Sequence, residues 1–223
     1  MYSTNLEQIS LDEFQEILLS IELLPSRKIL LDNISTFIEK LKQRGIGHLA
    51  ALQKLLNNKK RYPELASDLM VSVEYLTVLN REINSYVSKP VPLSKLGMFS
   101  DVELERLEGA GLKSTRDLYE RGLTRADRST LSEKLSIPQE KILTALELSD
   151  LLRITGVGPV YARILKEMGI KNVGLLLEID SQEAVEAYTR INAEKNYSKV
   201  NLGIKDIEYV KRFCRKLDSD IQW

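Results

Sequence analysis

The chain of 223 residues has one cysteine, Cys214, and one histidine, His48. A single thiol excludes an internal disulfide, and beside a single imidazole it excludes a Cys- or His-based zinc site. An excess of charge of either sign is also missing, because 32 Lys and Arg balance 32 Asp and Glu. Proteins that coat nucleic acid are as a rule strongly basic, so neutrality confines any such role to a local patch. No stretch approaches the roughly 18 consecutive apolar residues of a membrane span. The stretch Met1–Phe14 lacks a basic segment followed by an apolar one, so it reads as no secretory leader and the expectation is a cytoplasmic chain. Disorder is not indicated either, with apolar residues at 43% and charged residues at 29%.

Strand-like alternation is absent as well. Apolar residues instead recur at spacings of three and four, which predicts helices over 13–24, 34–44, 49–57, 73–86, 104–108, 116–121, 139–152, 160–168, 182–193 and 204–217. The fold class is therefore all-α, with short helices and short connections. Ser114 followed by Asp117 reads as a helix start, as does Asp180 or Ser181 before Glu183. Ser136 with Pro138 predicts another start, and Gly111, Gly122 and Gly169 predict left-handed stops. Pro90 and Pro92 in alternate positions forbid helix, so residues 85–93 read as an extended linker between domains at 1–88 and 89–223.

The pattern also repeats. Leu41, Gly45, Ile46 and Leu52 match Leu107, Gly111, Leu112 and Leu118 at an offset of 66 residues, without a gap. Leu165, Gly169, Ile170 and Leu176 match the second set at an offset of 58. Three related helical units, stacked in series, account for such agreement.

One segment carries chemistry. Ile154-Thr-Gly-Val-Gly-Pro-Val-Tyr-Ala-Arg-Ile-Leu165 resembles the helix-hairpin-helix consensus, with Ile154, Gly156, Val157, Gly158, Ala162, Ile164 and Leu165 in the consensus places. The two glycines permit a tight turn at positive φ, Val157 pins the turn inward, and small Ala162 lets the helices approach. Amides left free at the start of the second helix, aided by its dipole, favour an anion. In proteins with this consensus the amides hold a nucleic-acid phosphate without reading bases. The residues implied here are Thr155, Gly156, Val157, Gly158, Val160, Arg163 and Lys166. Arg153 and Lys171 are read as part of the same basic rim. The segment departs from DNA-binding examples at Val160, where they often carry Lys or Arg. In the other two repeats, Met98 and Ser100, and Asp32 and Ile34, replace the two glycines.

Residues 95–217 resemble the domain-of-unknown-function 4332 family of tandem helix-hairpin-helix proteins. The resemblance rests on Leu107-Glu-Gly-Ala-Gly-Leu-Lys-Ser-Thr-Arg-Asp-Leu118, Leu131–Pro138, Ser149–Ala162 and Arg190–Lys195. Residues 22–92 are similar to the N-terminal extension of some members. The resemblance implies an all-α fold of tandem helix-hairpin-helix, SAM-like units.

The remaining candidates carry structural roles. His48 matches Ser114 and Asn172 at helix starts, so it reads as a cap. Cys214 lies on an apolar helix face and reads as core. Gly156-Val-Gly158 has no preceding strand and no third glycine, so it is no dinucleotide fingerprint. Lys59-Lys-Arg61 reads as a solvated basic loop, and Asp12, Glu13 and Glu16 as a solvated helix face. No residue set supports catalysis, a metal or a small-molecule cofactor. Two functions are expected: a non-catalytic protein gripping the backbone of DNA or RNA at 154–165, or a protein-interaction scaffold with no nucleic-acid ligand.

Overall fold

Many helices begin where a side chain such as Ser10, Ser72 or Asn172 takes a free amide, and the computed structural model, which describes residues 2–218 and 220–223, is built of helices and their connections. Among the described residues there is no β-strand, and no helix is long and apolar enough to cross a membrane. The chain divides into two compact units: residues 5–87, and residues 88–223 together with the chain start through Thr4.

In the first unit, α1 (Leu11–Ser20), α2 (Ile34–Gln43), α3 (Leu49–Leu56), α4 (Tyr62–Leu69) and α5 (Val73–Ser85) surround a core that includes Phe14, Phe37, Leu52, Tyr75 and Ile83. The rings of Phe37 and Tyr75 meet at 4.9 Å. His48 caps α3 as read, its Nδ1 accepting from the Ala51 amide at 3.4 Å. Lys59–Arg61 form an exposed 3-10 turn.

The second unit contains α6 (Asp101–Gly109), α7 (Thr115–Arg121), α8 (Arg125–Leu135), α9 (Gln139–Leu152), α10 (Pro159–Glu167), α11 (Val173–Glu178), α12 (Ser181–Lys195) and α13 (Ile204–Cys214). Helix α9 is central and packs on α7, α8 and α10. Ile142, Ala145, Leu146, Ser149, Asp150 and Leu152 bury it on more than one face. Burial among apolar groups pushes the Cys214 thiol up to about 12, which makes it a core residue rather than a nucleophile.

Helix stops of one geometry recur. Gly45, Gly111 and Gly169 all have positive φ. The next amide, of Ile46, Leu112 or Ile170, reaches back to Leu41, Leu107 or Leu165 oxygen at 3.1, 2.8 and 2.9 Å. This is the Schellman closure, and glycine enters it at no steric cost. Met70 and Ser136, also 66 residues apart, close α4 and α8 in the same way at φ 57° and 50°. The starts of α3 and α7, and of α5 and α9, keep that offset too.

Several expectations are corrected. Ser136 ends α8 instead of starting α9, and Pro138 is the cap of α9. Gly122 has φ −116° and is no left-handed stop; a Cβ there would meet Leu118 oxygen at 3.0 Å. The periodicity does not predict α4 and α8, and α11 is predicted only by its start at Asn172, which caps it. In α8 the inward position belongs to Arg128, whose guanidinium donates to the oxygens of Gly122, Leu123 and Gln222. An apolar-spacing argument does not register an inward arginine.

Helix α6 starts with a capping box in which Ser100 and Glu103 each take the other's amide. The Lys141 ammonium, followed by the Ser100 amide, holds the Glu103 carboxyl well below its usual range, at about 2. A depressed carboxyl contributes stability above its ordinary value and loses it as pH falls to the folded value. Glu103→Gln is therefore expected to lower the urea midpoint at pH 7. That deficit should shrink from pH 4.5 downward and close near pH 2. A deficit independent of pH would show that the carboxylate charge contributes nothing.

Candidate nucleic-acid interface

Helices α9 and α10 are joined by six residues, Arg153 to Gly158. The Val157 amide donates to Ile154 oxygen at 3.1 Å, and Gly156 sits at φ +87°. A positive φ at the third residue of a four-residue turn is the type II requirement, which glycine meets without strain. Ile154, Val157, Ala162, Ile164 and Leu165 are buried, so the apolar half of the motif builds core.

Gly158 behaves differently from the expectation of a second left-handed glycine. Its φ is −93°, and a Cβ built on it would meet nothing within 4 Å. Glycine is not needed there for the turn. What it leaves is open space over the start of α10, where Gly158 offers no side-chain cap and Pro159 has no N–H. No acceptor among the described residues takes the amides of Gly158 or Val160. Helix α6, which begins 58 residues earlier, closes its own amides with Ser100 and Glu103.

The other predicted residues separate. Gly156, Gly158, Val160 and Arg163 are exposed, and the first three border one cavity. Thr155 is buried, its hydroxyl 3.0 Å from that of Thr4, and so does not face a ligand. The Val157 amide is consumed inside the turn, which transfers its expected role to Gly158 and Val160. Lys166 is only partly exposed and pairs with Glu147 at 2.8 Å, leaving less of its charge for an anion. Arg163 is the exposed cation of the hairpin, with its guanidinium 5.9 Å from the Tyr197 ring centre. Lys171 is exposed.

Arg153 does not belong to a basic rim. Only 1% of its side chain is exposed; it donates to Asp150 Oδ1 and to Asp218 oxygen, both at 2.7 Å. The guanidinium also lies 4.7 Å from the Tyr119 ring centre. Burial pushes the Asp150 carboxyl up, while Arg153 and the Val173 amide, 2.8 Å from Oδ2, hold it down. This pair locks the hairpin to α9 and to the start of α11. Sequence reading passed over Asp150, although a charged residue inside the run Leu148–Leu152, three before an arginine, was a visible signal.

A family model described as a domain of unknown function, DUF4332, matches residues 97–216. The chain belongs to the DUF4332 family. No curated protein and no solved structure matches it. The matched span of this DUF4332 chain contains α6 to α13, and thus the whole of the hairpin and the surface around it. Among the described residues, no group of three or more His, Cys, Asp or Glu is placed to hold a metal ion.

Proposed function

We propose that this protein is a non-catalytic, sequence-independent nucleic-acid-binding protein of helix-hairpin-helix type, gripping a backbone phosphate at 154–165. The observation that carries this reading is the bare start of α10. Its amides stand open over Gly158, where a phosphate oxygen meets no Cβ, while α6 covers the same place with a capping box. An anion there gains from the unpaired N–H groups and from the helix dipole. Arg163 supplies the adjoining positive charge. Nothing in this set touches a base edge, so no sequence preference is expected from the phosphate contact. The recurring glycine stops support three related units, of which the third alone carries the Gly156–Gly158 pair.

One site of this kind binds weakly and responds to salt, because each neutralised phosphate adds one increment of counterion release. Titration with duplex DNA, single-stranded DNA and RNA at two salt concentrations tests it. Dissociation constants in the range of about 10⁻⁴ to 10⁻⁶ M, weakening as salt rises, are expected. Gly158→Leu should keep the fold, since its φ suits any residue and space is open, yet abolish binding. Absence of binding at low salt would sink the reading. The net charge of zero and the exposed Val160 favour a second one, a protein-interaction scaffold. Co-purification of a stoichiometric protein partner that competes at Gly158 would establish it instead.

A further inference from the structure

An open cavity of about 300 Å³ adjoins the start of α10. Val160, Tyr161 and Ile164 of α10, Tyr188 of α12, and Val200 and Leu202 of the loop before α13 form its walls, with Gly156 and Gly158 at the same opening. The volume is at the small end for ligand pockets. It suits one flat ring system and is far too narrow for a helix, whose diameter is about 10 Å.

The two segments that supply most of its walls, 156–164 and 198–202, carry Arg163 and Lys199, while the acid near enough to act on Tyr161 is Asp206. Arg163 and Lys199 are exposed. Tyr161 adds a hydroxyl that is buried without a hydrogen-bond partner among the described residues. An apolar slot with open helix amides beside it matches a ligand that joins a flat apolar face to an adjacent anion.

We infer that the cavity takes one unstacked base of a single-stranded nucleic acid while its phosphate sits on the Gly158 and Val160 amides. The inference rests on the phosphate reading above and adds strand preference to it. A duplex keeps its bases stacked and paired, and must unstack one before the slot can be filled. A single strand delivers a base at far less cost, and the aromatic walls accept any base because each has a π-face.

The test measures anisotropy of labelled strands bound to the full chain at low salt. The strands are a short oligothymidylate, the same strand made abasic throughout, and a duplex of equal length. The oligothymidylate is expected to bind about tenfold more tightly than either of the others, the scale of one base stacked on an aromatic wall. A photoreactive 4-thiothymidine in that strand should crosslink to the peptides containing Tyr161, Tyr188 or Val200. Equal binding of all three strands would leave the phosphate reading intact and overturn the base slot. Crosslinks confined to other peptides would also overturn it. Failure of every strand to bind would overturn both.

Discussion

Asp150→Ala is expected to cost about 3–5 kcal/mol of unfolding free energy, the usual result of breaking a buried ion pair from one side. The wild-type carboxylate is 2.7 Å from the Arg153 guanidinium and accepts from the Val173 amide at 2.8 Å. Side-chain exposures are 3% and 1%, so water cannot replace the lost partner. Removing the carboxylate takes the Asp150 partner from a buried cation, which keeps the Asp218 oxygen, and the Asp150 acceptor from the buried Val173 amide, and both losses carry a desolvation penalty. Asp150→Asn keeps an acceptor for the Val173 amide and should cost less. Urea unfolding followed by circular dichroism gives both values. A loss for Asp150→Ala below about 1 kcal/mol, typical of an exposed pair, would mean that the site is wet in solution.

Gly156→Val is expected to destabilise by about 2 kcal/mol or more, since a β-branched residue is forced to a left-handed φ. The glycine has φ +87°, and a Cβ there would touch Tyr209 and Val210 at 3.5 Å, an ordinary contact. Steric space is thus not the obstacle; backbone strain is. Gly158→Val, by contrast, has φ −93° and open surroundings, and should change stability little. Thermal or urea unfolding of the two variants compares them directly. Equal stability losses would refute the division of labour between the glycines, with Gly156 shaping the turn and Gly158 clearing room for a ligand. That division also sharpens the binding test, because only the second glycine can be changed without disturbing the first.

Much of the local structure was legible from residue order. Helix α9 was read at its full extent, Gln139–Leu152, because Ile142, Ala145, Leu146 and Leu152 keep the helical spacing. The Ser114–Asp117 box and the Asp180 cap were read from side-chain chemistry that acts within one turn. The stops at Gly111 and Gly169 followed from the same short-range logic, and the stop at Ser136 escaped it. There a non-glycine residue takes φ 50°, a conformation that residue type alone does not announce.

The candidate site was legible only as far as its backbone. The order Gly-Val-Gly-Pro placed a tight turn before a helix, since glycine and proline constrain φ wherever they stand. It could not say which amides stay open. The Val157 amide is used by the turn, Lys166 by Glu147, and the Thr155 hydroxyl lies against Thr4, 151 residues away. Nor could it bring Tyr188, Val200 and Leu202 to the same cavity as Val160.

Periodicity and capping thus determined by themselves that this chain is helical, because both act over four residues or fewer, within reach of the local sequence. Only the tertiary structure decided which charges remain for a ligand. Arg153 and Arg163 carry the same group ten residues apart, yet one is sealed beneath Tyr119 and the other faces solvent. That difference is set by burial and by partners from distant segments, and these exist only once the chain has folded.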